Sequence, residues 1–279
     1  MALGLVVLLL GCKELPGPDI VIDSDNRVVT ITEPAAEAIL YIGQKVVIHW
    51  NTTKGLIGDL KIDLMDGDIS VQELSSQTPN TGSFNWKISN SQKTGSYRIR
   101  LTIVNSLFKG DSWLSDAFTI SQLTVTFVKD ETVTPTGTGA INHNFGTEKA
   151  TYGDKITLLA KADESSTFTE WIVNGEHYSS ESHTTIIIKE TTNITAVFMI
   201  KRFPVTFETL GNGTGIMSFD ITNISNGTTL TGVAYGPHNM YVSPTNGSSF
   251  EGWIVNNVLI KNTRVTITGM TNIKAWLIH

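Results

Sequence analysis

The sequence predicts an all-β chain, a sandwich of two antiparallel sheets followed by two small tandem β-rich modules. Three observations carry this expectation. Past residue 27, strand-length runs rich in Val, Ile, Thr, Phe and Trp alternate with clusters of Gly, Asn, Asp and Ser, with turn signals about every 8–12 residues. The main stretch of helical character, Pro34 to Ile39, is too short to hold a helix. The second half of the chain also repeats itself. With 279 residues, about twice a typical domain, two or three domains are expected. The 40% hydrophobic content suffices to build cores and excludes wholesale disorder. A net charge of −6, with no run of Lys or Arg, argues against a nucleic-acid partner. A lone cysteine excludes an intrachain disulfide, a Cys-rich zinc site and a Cys-ligated cluster.

The chain opens with Leu3 to Leu10, almost unbroken apolar sequence, then Gly11 and Cys12. So short a run cannot cross a hydrocarbon core ~30 Å thick but suits the apolar region of a secretory signal. Leu9-Leu10-Gly11-Cys12 resembles a bacterial lipobox, which implies cleavage before Cys12 and lipidation of its sulfur. No Lys or Arg precedes the apolar run, a departure from that pattern, so the true start is expected upstream of Met1. At ~0.8 kcal/mol per buried CH₂, two or more acyl chains anchor a protein stably. Residues 1–12 are therefore read as a lipoprotein signal. Residues 13–27, with Pro16, Gly17 and Pro18, are read as a short stiff tether.

Residues 28–121 hold strand-length runs at Val28 to Thr32, Lys45 to Trp50, Leu60 to Met65, Tyr97 to Val104 and Ala117 to Ile120. Seven or so short strands in ~90 residues suggest a two-sheet sandwich. A series of motifs runs through it: Ile31 and Pro34, Gly43-Gln44-Lys45-Val46-Val47-Ile48-His49-Trp50, Gly58 with Leu60-Lys61-Ile62-Asp63-Leu64, Gly82-Ser83-Phe84-Asn85-Trp86, Gly95-Ser96-Tyr97-Arg98-Ile99 and Ser115 to Ile120. This order resembles the immunoglobulin-like N-terminal domain of Ser/Thr-rich surface proteins, including yeast cell-wall β-1,6-glucan-assembly factors. The resemblance implies an extracellular setting and contact with polysaccharide, and names no ligand residue. With no cysteine pair, Trp50 and Trp86 are expected to pack the core without a disulfide.

Residues 122–201 and 202–279 read as two copies of one module. Val125-Thr126-Phe127 matches Val205-Thr206-Phe207, and Gly137-Thr138-Gly139 matches Gly213-Thr214-Gly215. Trp171-Ile172-Val173-Asn174 matches Trp253-Ile254-Val255-Asn256, each with a Phe three residues before the Trp. Thr192-Asn193-Ile194 matches Thr271-Asn272-Ile273. The offset drifts from 76 at Gly137 to 82 at Trp171, as loops of unequal length require. In each copy the Gly-x-Gly pair reads as a connection needing φ > 0, and the Trp as the anchor of a small core. Asn174-Gly175, and less ideally Asn256-Asn257, read as primed hairpin turns. Gly236-Pro237-His238-Asn239 replaces Gly153-Asp154-Lys155-Ile156. The modules resemble divergent internalin-type bacterial repeats, which implies a small β-grasp-like unit serving as spacer or adhesive and carrying no enzymatic activity.

Candidates for chemistry are few. Of the six histidines, only His177 and His183 lie close in sequence, near Glu176 and Glu181, at a spacing that fits no helical ligand pattern. Asp23 to Asn26 and Asp63 to Asp68 lack the glycine and distal glutamate of a calcium loop, and Asp66-Gly67 is better read as hairpin chemistry. Sequons begin at Asn51, Asn193, Asn212, Asn223, Asn226 and Asn246, and are read as turn composition. No nucleophile elbow, phosphate loop or His-Glu-x-x-His is present. No catalytic residue, metal or cofactor is therefore assigned. Cys12 is the lipidation site, and Trp113 and Tyr178 are candidate sugar-stacking aromatics. The expected function is a lipid-anchored, extracytoplasmic surface protein, a non-enzymatic adhesion or spacer element. Its expected partners are the membrane, through the lipid, and a surface polysaccharide or protein. The alternative is a glycan-binding accessory lipoprotein for polysaccharide capture or wall assembly.

Overall fold

A computed structural model describes residues 28–53, 58–130 and 136–279. The signal, the tether and Cys12, and with them the lipidation expectation, lie outside the described residues, as does the acidic cluster Asp23 to Asn26. The described residues form strands and turns without a helix, so the chain is all-β as expected. They divide into two compact units. One runs through Leu40 and continues over Lys45–Ile88 and Lys93–Ile120; the other takes Tyr41–Gln44, Ser89–Gln92 and Ser121–His279.

The first unit is built from β1 (Val29–Glu33), β2 (Ile39–Tyr41), β3 (Lys45–Thr52), β4 (Leu60–Asp66), β5 (Ile69–Thr78), β6 (Ser83–Lys87), β7 (Gly95–Ile103), β8 (Ser112–Leu114) and β9 (Phe118–Ser121). One sheet has the order β1-β3-β6, the other β2-β9-β7-β4-β5 with β8 added against β7. This is the strand arrangement of an immunoglobulin-type sandwich. Alternation along β7 sends Tyr97, Ile99, Leu101 and Ile103 inward and leaves Ser96, Arg98, Arg100 and Thr102 more open. Trp50 and Trp86 are both buried, and Trp86 meets Phe118 edge-on at 6.4 Å. The core thus holds without a disulfide. Between β4 and β5, Asp66 pairs with Ile69 and leaves Gly67-Asp68 as a two-residue turn, with Gly67 at φ 56°.

The second unit contains both modules. The first module comprises β10 (Leu123–Lys129), β11 (Gly139–His143), β12 (Lys149–Ala150), β13 (Lys155–Ala162), β14 (Ser166–Val173), β15 (Glu176–Ser179), β16 (His183–Ile187) and β17 (Thr192–Ile200). The second module comprises β18 (Arg202–Leu210), β19 (Thr214–Phe219), β20 (Thr222–Ile224), β21 (Thr229–Ala234), β22 (Gly236–Thr245), β23 (Ser249–Val255), β24 (Val258–Ile260), β25 (Arg264–Ile267) and β26 (Thr271–Ile278). Their mixed sheets share one order, β12-β10-β17-β14-β15 and β21-β18-β26-β23-β24. In each, the first and last strands run parallel, with Val125 opposite Thr192 and Val205 opposite Thr271. Register repeats too: Trp171 faces Ala196 as Trp253 faces Ala275, and a bulge falls between Phe168 and Glu170 as between Phe250 and Gly252. The facing layer is a second antiparallel sheet, β11-β13-β16 or β20-β19-β22-β25, and not a helix. In that respect the modules depart from a β-grasp.

Three local details explain the repeated sequence. Both hairpin turns have the backbone expected of them, with positive φ at Asn174 and Gly175 and at Asn256 and Asn257. The Gly-x-Gly pairs have a different cause from the one expected, for none of the four glycines has a left-handed φ. They are glycine because the chain crosses the last strand closely. A Cβ on Gly137 would lie 2.6 Å from the Met199 backbone nitrogen, and one on Gly213 would lie 2.7 Å from that of Ile278. The drift in offset also has a location. Phe219 stands where His143 does, 76 residues on, and Met240 where Leu158 does, 82 residues on, because β20 and its turns are inserted between β19 and β22.

Candidate functional site

Asn174 and Asn256 do more than turn the chain. Asn174 Oδ1 accepts the Asn193 N–H at 2.8 Å while its own N–H donates to the Asn193 carbonyl at 2.9 Å. Asn256 and Asn272 repeat both bonds at 2.8 and 2.9 Å. Next to these, Thr192 and Thr271 donate their hydroxyls to the carbonyls of Glu190 and Gly269. The recurring Trp-Ile-Val-Asn and Thr-Asn-Ile segments are therefore two halves of one clamp. Trp171 and Trp253 are 0% and 1% exposed, which makes them core anchors.

Of the two aromatics assigned to stacking, Trp113 is half-buried on β8, opposite Leu101. Tyr178 is 40% exposed on β15, and its hydroxyl donates to the Thr185 carbonyl of β16 at 2.6 Å, which fixes the ring between two sheet edges. It lines a groove of about 400 Å³ with Val173, Thr185, Ile187, Lys189 and Glu190. Trp113 belongs to the first unit and Tyr178 to the second.

The histidines and acids resolve into pairs. His177 Nδ1 bonds Glu170 Oε2 at 2.6 Å in an exposed setting, while His183 sits on β16. No group of three His, Cys, Asp or Glu able to hold a metal occurs among the described residues. Asp63, counted in an acidic cluster, is instead fully buried and neutralised from two sides. Arg100 Nη2 lies 3.0 Å and Lys61 Nζ 3.2 Å from its carboxylate, and the Ser70 hydroxyl donates to it at 3.0 Å. Burial pushes the Asp63 carboxyl up, but the bonds from Arg100, Ser70 and Lys61 outweigh it and hold the group below the usual carboxylate range.

Sequence reading missed His238 of the second module. Its Nδ1 lies 2.8 Å from Asp220 Oδ2 and its Nε2 lies 2.8 Å from the Ala234 carbonyl oxygen. The ring stacks on Phe219, with centroids 5.0 Å apart and planes at 19°. Asp220 Oδ1 also accepts the Asn239 N–H at 2.9 Å. Partial burial pushes the Asp220 carboxyl up, but His238 and the Asn239 N–H bring it below its ordinary value. The signal lay in the repeat. Register places His238 where the first module has Ile156, one position away from a match made on the glycines, and Asp220 where it has Asn144.

The sequons divide by position. Asn246, followed by Gly247, lies in a turn with positive φ at both residues, whereas Asn51, Asn193 and Asn223 lie within strands. The turn reading therefore holds only for some of the six.

Comparison with known proteins gives one family. Residues 130–202, about a quarter of the chain, match the divergent InlB B-repeat domain. No curated protein matches the chain. Among solved structures, fibronectin(III)-like modules of Clostridium thermocellum CbhA are 21% identical at a TM-score of 0.25, covering 33% of this chain and 94% of theirs. Activated alpha-2-macroglobulin from Escherichia coli is 9% identical at a TM-score of 0.27, with 90% of this chain spanning 23% of that one. The I-band fragment I67-I69 from titin is 9% identical at a TM-score of 0.22, covering 91% of this chain and 98% of the fragment. No helix among the described residues is long and apolar enough to cross a membrane.

Proposed function

We propose that this chain is a lipid-anchored, extracytoplasmic surface protein acting as a non-enzymatic adhesion or spacer element. The observation that supports the spacer role is the duplication. One β module occurs twice with the same strand order, the same parallel pairing of first and last strands and the same Asn clamp. The similarity of residues 130–202 to a bacterial repeat domain agrees with a surface setting. Cys12, after an apolar run and a glycine, supplies the thioether for the anchor.

The experiment is fractionation of the native host. The wild-type chain is expected in the membrane fraction and the Cys12→Ala chain in the soluble fraction; membrane retention of the variant refutes the anchor. For adhesion, beads coated with the purified chain are expected to adhere to host surfaces or matrix, and inert beads refute that role.

Glycan capture is the second reading, and the Tyr178 groove favours it: a half-exposed aromatic ring, fixed by its hydroxyl, beside Lys189, Glu190 and Thr185. Under it, pull-down on insoluble polysaccharides retains the chain and Tyr178→Ala abolishes the retention. Retention that survives Tyr178→Ala moves the ligand elsewhere, with Trp113→Ala the next variant.

A further inference from the structure

Both groups facing the His238 ring nitrogens are acceptors. The Asp220 carboxylate and the Ala234 carbonyl carry no proton, so two bonds of 2.8 Å need a donor on each nitrogen. Only the imidazolium has both. A neutral ring of either tautomer turns a lone pair toward one oxygen and forfeits that bond. His177 differs, with a single close acceptor in Glu170 and a more open ring.

Comparison within the chain singles out this pair. In the first module Asn144 Oδ1 accepts the Thr157 N–H at 2.8 Å, and in the second Asp220 Oδ1 accepts the Asn239 N–H at 2.9 Å, so the turn is tied alike. The neighbouring position is Ile156, fully buried and apolar, in one copy and His238 in the other. Where the first module has a neutral amide and an isoleucine, the second has a carboxylate and a histidine.

β19 and its turn contribute Phe219 and Asp220, the end of β21 contributes the Ala234 carbonyl, and β25 sets Val265 opposite His238. Opposite Ala234, Arg202 of β18 donates to the Gly232 carbonyl at 2.7 Å. Arg264, next along β25, pairs with Asn239, which strand alternation puts on the other face. Of these groups only Asp220 carries charge toward the ring.

We propose that His238 is a proton-held latch peculiar to the second module: as imidazolium it binds Asp220 and Ala234 together, and loss of its proton to solvent releases one of them, freeing from β22 either the Asp220 side chain of the β19–β20 turn or the end of β21. This inference stands independently of the surface-module reading.

The test is long-range ¹H–¹⁵N spectroscopy of the full soluble chain labelled on histidine, with His238 assigned by its absence from His238→Gln. Both ring nitrogens of His238 are expected to be protonated in the folded chain, with one proton lost on raising the pH. The second module's melting temperature falls with that step by about 4–8 °C. A double variant carrying the first module's pair, Asp220→Asn with His238→Ile, is expected to lose this step. A ring that stays a single neutral tautomer from about pH 5 to 8 overturns the proposal. So does an unchanged pH step in the double variant. The spectrum of the wild-type chain decides the matter even if the variant does not fold.

Discussion

Single side chains bear more of this architecture than their sizes suggest, and Asn174 is the clearest instance. It turns the chain at positive φ and accepts the Asn193 N–H, two tasks that only a short side chain with an oxygen performs together. Asn174→Ala loses the acceptor and strains the turn, and urea unfolding is expected to show the first module destabilised by about 1–3 kcal/mol. Asn174→Asp retains the acceptor but loses the Nδ2 donations to Glu190 and the Thr191 carbonyl and sets two carboxylates together, so it should recover only part of that loss. Asp63 predicts a pH dependence of definite sign. Its carboxyl is held low in the folded chain, so its contribution is present above the unfolded carboxylate value, ~4, and is lost as pH falls through the depressed folded one. Acid unfolding of wild type and Asp63→Asn should therefore begin to converge below about pH 4 and meet only once the pH has passed below the depressed folded value, while at neutral pH the variant is the weaker.

Among the elements, the last strand of each module governs its neighbours. β17 and β26 sit at the centre of their sheets, flanked by a parallel and an antiparallel partner, and the Gly-x-Gly segment lies against their far ends. Gly137→Ala and Gly213→Ala put a methyl group into a backbone and should each cost about 1–3 kcal/mol or more in urea midpoints. Gly146→Ala, with open space around it, is the control expected to change little. Here the limits of sequence reading are physical. The hairpins were legible because Asn-Gly and Asn-Asn advertise positive φ locally. The glycines at 137 and 213 announced a special backbone but not its cause, because close approach depends on a strand some 60 residues away. The His238 latch was illegible for a similar reason: its partners Phe219, Asp220 and Ala234 come from β19, the turn after it and β21, and a match on glycines misplaced it by one residue. Tyr178 could be nominated from composition, whereas its fixed ring depends on the pairing of β14, β15 and β16.

For the whole molecule, duplication implies separable cores. Each module has its own buried cluster, one around Trp171 and Phe198, the other around Trp253 and Phe207. Trp253→Ala should cost about 3–5 kcal/mol and lower one calorimetric transition while leaving the other in place. Trp253→Phe should be milder, since the indole N–H is buried with no partner among the described residues and its removal relieves a cost. Equal loss in both transitions would mean that the modules melt as one.

The pairing of first with last strand carries a mechanical meaning. Two adjacent strands that run the same way receive the chain at one end of the module and release it at the other. Tension between those ends drags Val125–Lys129 lengthwise past Thr192–Ala196, and Val205–Leu210 past Thr271–Trp276. All the rungs between them then share the strain, instead of opening singly like a zip. Resistance to such stretching is a matter of rupture rate rather than of equilibrium stability. Each module is thereby suited to staying folded under a sustained pull.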